Sequence, residues 1–274
     1  MSVKVSEKFF KNKCFDIRKT ILQLARQSGG KGAHLGGTMS CVEILAFLYY
    51  CNILKFDNKN ALWENRDRFL IGKGHAHLAL YSIWSDLGFF KKSLLKTYGK
   101  NGTKLGVQLD TNIPGSEYNT GSLGHVIGIA NGISVSSKLD KKKINIYCLI
   151  GDGECESGSI WESVLNTTKM DLNNIIVIVD VNRLSEMQDL GNYNSKILRK
   201  KFQSYDWEVF DCNGHNFTDL KKTFLKIQKC KNKPKVIIAN TIKGKGVSFM
   251  ENNIEWHHKA PNDKEFIQAL KEYL

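Results

Sequence analysis

The sequence predicts an α/β fold, a doubly wound parallel sheet with a helical N-terminal part. Four short runs carry this reading: 144–150 (INIYCLI), 174–181 (NIIVIVDV), 207–212 (WEVFDC) and 235–241 (KVIIANT). Each is nearly unbroken apolar sequence rich in Val and Ile, the pattern of strands buried on both faces of a parallel sheet. The segments at 157–170 and 217–230 have the length of crossover helices. Before residue 140 the pattern is mostly helices and loops. With no linker or repeat in view, the 274 residues are read as one domain over 1–274.

Taken in order, Ile17, Ile21, Leu24 and Ala25 recur at helical spacing and stop at Ser28-Gly29-Gly30. Ser40, with Glu43 three places on, predicts a capping box opening the apolar helix CVEILAFLYYC. A third helix is expected from about His75 to Leu87, ended by Gly88. A fourth, 122–137, carries Gly124, Gly128 and Gly132 four apart, which predicts close packing against another backbone.

Composition narrows the function. At 42% hydrophobic residues the chain is not disordered, and no stretch approaches the roughly 20 apolar residues of a membrane helix. The N-terminus MSVKVSEKFFKNKC is broken by charges and predicts no signal peptide. Seven cysteines with no C-x-x-C pair predict buried free thiols in a reducing, cytoplasmic compartment rather than a disulfide framework or zinc site. The net charge of +13 is spread rather than gathered with aromatics on one face, so no nucleic-acid binding is expected. It suits an anionic substrate or an acidic partner.

The sharpest motif begins where the 144–150 strand ends: GDGECESGSIWES (151–163), then NIIVIVDVNRL (174–184) after a crossover. Gly151 and Gly153 flank one acid at the carboxyl edge of a strand, where α/β sheets bind ligands. Glycines admit a phosphate close to the backbone, and amides near a helix N-terminus donate to it. Asp152 repels a diphosphate unless a divalent cation lies between them. Asn182 stands at the end of the next strand, with the Leu184 carbonyl close behind. Those three oxygens, two from a diphosphate and a water would complete an octahedral Mg²⁺ shell. The bland alternative is a tight turn and a polar strand exit.

This arrangement resembles the diphosphate-binding motif of thiamine-diphosphate enzymes, and four further segments resemble transketolase. They are GAHLGGTMSCVEIL (32–45), RDRFLIGKGHAHLALYS (66–82), NTGSLGHVIGIANGIS (119–134) and TIKGKGVSFMENNIEWHHKAPND (241–263). The resemblance runs from about Ile17 to Leu274 and covers the diphosphate-binding domain only. It implies thiamine diphosphate with Mg²⁺ (or Ca²⁺ or Mn²⁺) as cofactors. It also implies a split enzyme, whose pyrimidine-binding and C-terminal domains lie on a C-terminal partner chain in an α2β2 assembly. The chain would then be inactive alone, and its substrate a sugar or sugar phosphate.

By the same resemblance His34, His75 and His257 line the substrate channel as catalytic residues, a role suited to a side chain titrating near 6.5. Thr120, Gly121, Ser122, Leu123, Gly151, Asp152, Gly153, Glu154 and Asn182 bind the cofactor, and Asp152, Asn182 and the Leu184 carbonyl bind the metal. His77, His125, His215 and His258 are weaker candidates, His215 being read as structural. Glu162 matches a subunit-interface carboxylate or is an exposed helix residue. Lys243 and Lys245 neutralise ligand charge or form a solvated pair.

Four departures from the family pattern stand out. Ser157 replaces a Glu that helps couple paired active sites, with Glu156 one place earlier. The family's Gly-His-Pro is absent from LGVQLDTNIPG (105–115), leaving Gln108 as the nearest substitute, and HLGG replaces HPGG. His258 stands where relatives usually have glycine. The leading expectation is transfer of a two-carbon ketol unit from a ketose to an aldose. The alternatives are another thiamine-diphosphate ketolase or synthase in a specialised biosynthetic pathway, or a non-catalytic paralogue.

Overall fold

The computed structural model describes residues 5–29, 33–185, 189–191 and 195–273. Gly30, Gly32 and Leu274, named above, lie outside them. Five parallel strands form one sheet: β1 (Arg68–Ile71), β2 (Ile146–Gly151), β3 (Ile175–Val181), β4 (Glu208–Asn213) and β5 (Lys235–Asn240), in the order β1-β2-β3-β5-β4. Register pairs Cys148 with Val177 and Val177 with Val236 through the sheet centre.

The alternation of side chains along each strand divides the core into two layers. Phe69, Leu149, Ile178 and Ile237 face a layer built on α1 (Glu7–Gln27), α3 (Val42–Tyr50), α4 (His77–Leu87) and α8 (Phe217–Ile227). Leu70, Cys148, Val177 and Val236 face α5 (Val126–Leu139), α6 (Gly158–Lys169) and α7 (Ser195–Ser204). A short α2 (Leu35–Met39) precedes α3, and α9 (Asp263–Lys271) follows the last loop. No described helix is long and apolar enough to cross a membrane. All seven cysteines are free thiols, six of them buried.

The α/β class and the parallel sheet are as expected, but several elements differ. β1 has no counterpart among the expected elements of the helical first half, because four residues fenced by charges give no periodicity. The same holds for α7, which is short and lysine-rich. The 207–212 run is not buried on both faces: β4 is an edge strand with its outer residues exposed. The capping box does not form. Ser40 turns its hydroxyl to Asp180, and Glu43 is taken by Arg18, so α3 starts at Val42 with Cys41 as an N-cap that makes no side-chain hydrogen bond. α4 begins at His77 after a 3₁₀ turn and ends, as expected, at Gly88 with φ +82°. α5 begins at Val126, after a loop through Ser122. The glycine row packs against serine side chains rather than backbone. A Cβ on Gly124 would lie 2.8 Å from Ser157 Cβ and one on Gly128 3.2 Å from Ser163 Oγ, while Gly132 has open space.

Burial separates centre from edge energetically. Ile178 is buried and should lose about 2–5 kcal/mol on replacement by Ala. Val209→Ala on half-buried β4 should cost about 1 kcal/mol. Urea denaturation of the two variants checks this, and equal losses would contradict the layer assignment.

Candidate active site

The carboxyl ends of β1, β2, β3 and β5 converge on a cavity of about 510 Å³. Its lining includes His34, Lys73, His75, Gly121, Leu123, Gly151, Asp152, Gly153, Glu154, Asn182, Leu184, Lys243 and His257. The structure therefore brings together every expected catalytic, cofactor and metal residue except Thr120 and Ser122. The Thr120 hydroxyl is spent within its own loop, accepting from the Leu109 amide at 2.9 Å and donating to Gln108 Oε1 at 3.0 Å. Ser122 is exposed beside Leu123. Of the two lysines, Lys243 lines the cavity, whereas Lys245 pairs with Glu251 at 3.0 Å and does not. Gln108 does stand in the cavity wall, where the missing imidazole was expected.

His34, His75 and His257 form a triangle in the cavity lining, with ring centroids 5.3 Å (His34–His75), 5.6 Å (His34–His257) and 5.8 Å (His75–His257) apart. Exposed His258 joins them, 4.6 Å from His34. Burial pushes the His75 pKa well below its ordinary value, with Lys73 adding to the effect. Burial and then Lys243 lower His257 to about 3. The Lys243 ammonium donates to His257 Nδ1 at 2.7 Å, which leaves the proton of the neutral ring on Nε2. His77 is structural. It is fully buried, with Nε2 bonded to Tyr98 Oη at 2.9 Å. His125 and Glu162 do not line the cavity.

Elsewhere in the lining Asp152 accepts from the Gly153 amide at 2.9 Å and the Arg183 amide at 2.6 Å. Burial, then the neighbouring Asp180, raises its pKa to about 6. Glu154 is raised to about 7 by burial, although the amides of Gly124 (2.9 Å) and Gly151 (3.3 Å) donate to it. Glu154 therefore clamps the Gly-rich segment to the end of β2, and those two amides are already used. A Cβ on Gly151 would meet nothing within 4 Å, so the backbone there is open to close approach by a ligand. Asn182 Oδ1 accepts from the Leu184 amide at 3.2 Å. The Leu184 carbonyl accepts from Lys243 at 2.9 Å. A carboxylate disfavoured as an anion, an amide oxygen and a carbonyl suit a hard divalent cation. They hold too few acids to form a metal cluster by themselves, and no group of three or more His, Cys, Asp or Glu fit for a metal occurs among the described residues. Such an ion would need oxygens from the ligand as well.

Beneath the cavity lies a network of which only Asn182 was among the expected site residues. Asp180, fully buried in β3, forms an ion pair with buried Lys73. It also accepts from Ser40 Oγ at 2.6 Å, Asn182 Nδ2 at 3.2 Å and Thr241 Oγ1. Burial alone would raise Asp180, but Lys73 and the hydroxyl donors outweigh it and hold the carboxylate ionised. The one available signal was an acid inside an otherwise apolar strand, VIVDV.

Two measurements follow from this electrostatics. Because the Asp152 pKa is higher folded than unfolded, its contribution to stability is present at low pH and lost as pH rises from about 4 to about 6. The metal-free Asp152→Asn variant lacks that loss. Its stability relative to wild type should therefore climb over the same window, by up to about 3 kcal/mol; urea denaturation in chelator at stepped pH reads this, and a flat difference would contradict it. Lys73→Met strands the buried Asp180 and should cost about 3–5 kcal/mol, with Asp180→Asn in the same chain recovering a large part. A double-mutant cycle with no coupling would refute the pairing.

Residues 16–274 match the family model described as transketolase, thiamine diphosphate binding domain. The chain is 37% identical over 262 residues to an apulose-4-phosphate transketolase subunit of Actinobacillus succinogenes, covering 93% of this chain and 92% of that one. It is 32% identical to the 6-deoxy-6-sulfo-D-fructose transketolase subunit SqwG of a Clostridium species, covering 93% of each. Among solved structures, transketolase from Campylobacter jejuni superposes with a TM-score of 0.91 at 26% identity. That match takes in 98% of this chain but 43% of the longer one. The triangle of imidazoles, the GDG strand exit and these likenesses agree: the chain belongs to the transketolase family, as a thiamine-diphosphate-binding domain.

Proposed function

We propose that this chain, acting as one unit over 1–274, is the diphosphate-binding subunit of a split transketolase. With a pyrimidine-binding partner chain in an α2β2 assembly in the cytoplasm, it moves a two-carbon ketol unit from a ketose to an aldose. The observation that carries this reading is the convergence of Asp152, Asn182 and Leu184 with His34, His75 and His257 on one cavity at the strand ends. The similar subunits are named for a sugar phosphate and a sulfonated sugar, which supports a donor or acceptor with an anionic tail.

In this reading Asp152, Asn182 and the Leu184 carbonyl hold Mg²⁺ (or Ca²⁺ or Mn²⁺) against the diphosphate of thiamine diphosphate. Gly151, Gly153 and Gly121 would give the backbone clearance, and Leu123 would offer the cofactor an apolar contact. When bound, thiamine diphosphate supplies the electron sink for carbon–carbon bond cleavage and formation. The chain's own contribution is positioning and proton traffic. His75 and His257 are neutral at physiological pH and introduce no charge: His75 carries one N–H donor and one acceptor, while His257, with Nδ1 taken by Lys243, offers its Nε2 N–H to sugar hydroxyls. His34 completes the triangle. Gln108 offers an amide where the family pattern has a histidine, and this favours, as a second reading, a specialised ketolase with a different substrate.

The test is native mass spectrometry of the chain co-expressed with a candidate partner, with thiamine diphosphate and Mg²⁺ present. We expect a two-plus-two complex with two cofactors. Asp152→Ala should weaken cofactor binding at least about 100-fold while the complex persists. Undiminished binding by the variant would reduce the site to a remnant and favour a non-catalytic paralogue.

A further inference from the structure

Outside the residues that line the cavity, three charged or titratable residues from distant elements meet. Arg18 of α1 is 2% exposed and grips Glu43 of α3 through two bonds, of 2.6 and 2.8 Å. His215, in the turn between β4 and α8, bonds Glu43 Oε2 through Nδ1 at 2.9 Å. Its other nitrogen, Nε2, accepts the Ile242 amide at 2.8 Å. A peptide N–H can only donate, so Nε2 carries the lone pair. Burial would raise Glu43, but Arg18 and then His215 outweigh it and bring the carboxyl down to about 2, so Glu43 is ionised and Nδ1 carries the proton. The partners thus fix one neutral tautomer.

The loop held in this way is the one that serves the site. Arg18 Nε donates to the Lys245 carbonyl at 2.9 Å, and a Cβ on Gly246 would sit 2.7 Å from Arg18 Nε. The Ile242 peptide adjoins buried Lys243, whose ammonium donates to the carbonyls of Leu184 (2.9 Å) and Ser185 (2.8 Å) and to His257 Nδ1 (2.7 Å). We propose that His215 is a positioning residue: anchored on the Arg18–Glu43 pair, it sets the Ile242 peptide and so aims Lys243 at Leu184 and His257. It touches neither cofactor nor substrate. The imidazole suits the task because it is rigid, donating at one edge to a carboxylate and accepting at the other from a peptide. This inference rests on the functional reading above for what Lys243 and His257 serve.

Three variants separate the two edges of the ring. His215→Gln places an acceptor near the Nε2 position, His215→Asn retains a donor near Nδ1, and His215→Ala has neither. Hydrogen–deuterium exchange of 241–247 is measured in the complex with the partner chain, with β3 as the internal control, together with thiamine diphosphate affinity and kcat. Losing one net hydrogen bond corresponds to about a tenfold change. The Ala and Asn variants should therefore exchange about tenfold faster at 241–247, bind cofactor about tenfold more weakly and lose up to about tenfold in kcat through the misaimed His257, with β3 unchanged. The Gln variant should stay within about twofold of wild type in all three. Unchanged exchange in His215→Ala would overturn the tether, and faster exchange with unchanged cofactor affinity would overturn the positioning role. Faster exchange spread through β3 would make the residue merely structural and also overturn it. A wild-type complex that binds no thiamine diphosphate would instead defeat the functional reading, and the positioning role with it, whatever the exchange shows.

Discussion

The buried ion pair between Lys73 and Asp180 is the constraint around which the site is arranged. A charge removed from water must be paired and hydrogen-bonded, or the fold loses several kcal/mol. Satisfying Asp180 draws in Lys73 from the end of β1, Ser40 from between α2 and α3, Asn182 from the end of β3 and Thr241 from the end of β5. Strand ends that would otherwise be joined only by sheet hydrogen bonds are thereby fixed to one point. The same contacts orient the residue above them: with Nδ2 committed to Asp180, Asn182 has its Oδ1 on the other side, at the Leu184 amide.

Two groups of residues in the cavity lining carry opposite electrostatic biases. Asp152 and Glu154 are raised to about 6 and about 7 by burial, so that group favours a bound cation. His75 and His257 are lowered by burial and by Lys73 and Lys243, so that group remains neutral while still able to donate and accept. The proposed function would put a metal and diphosphate against the acids and a polyhydroxylated substrate against the imidazoles. Two lysines link these groups to their surroundings: Lys73 pairs with Asp180 beneath the cavity and Lys243 donates to the Leu184 and Ser185 carbonyls, while both depress the imidazoles.

Much of the fold was legible in the sequence. The Val- and Ile-rich runs at 144–150, 174–181 and 235–241 are strands because continuous apolar sequence of that length fits a sheet covered on both faces. The 207–212 run looks similar but lies at the edge, and composition does not encode a strand's neighbours. The Ser40–Glu43 spacing satisfied a local capping rule, yet each side chain found a stronger partner, a buried charge from elsewhere in the chain. Thr120 holds the place of a phosphate contact in its motif, but its hydroxyl closes the loop carrying Gln108.

By itself, the sequence determined the α/β class, the GDG turn with Asn182 one strand later, and the three histidine-bearing segments, because each is a short pattern whose chemistry is local. That His34, His75 and His257 stand within 5.8 Å of one another, ring centre to ring centre, was settled only by tertiary structure. So were the pairing of Lys73 with Asp180 across 107 positions and the tether from His215 to Glu43 across 172. A lysine, an aspartate or a histidine has no local signature for a partner that distant. Packing brings them together, and the cost of leaving a buried charge unpaired keeps them there.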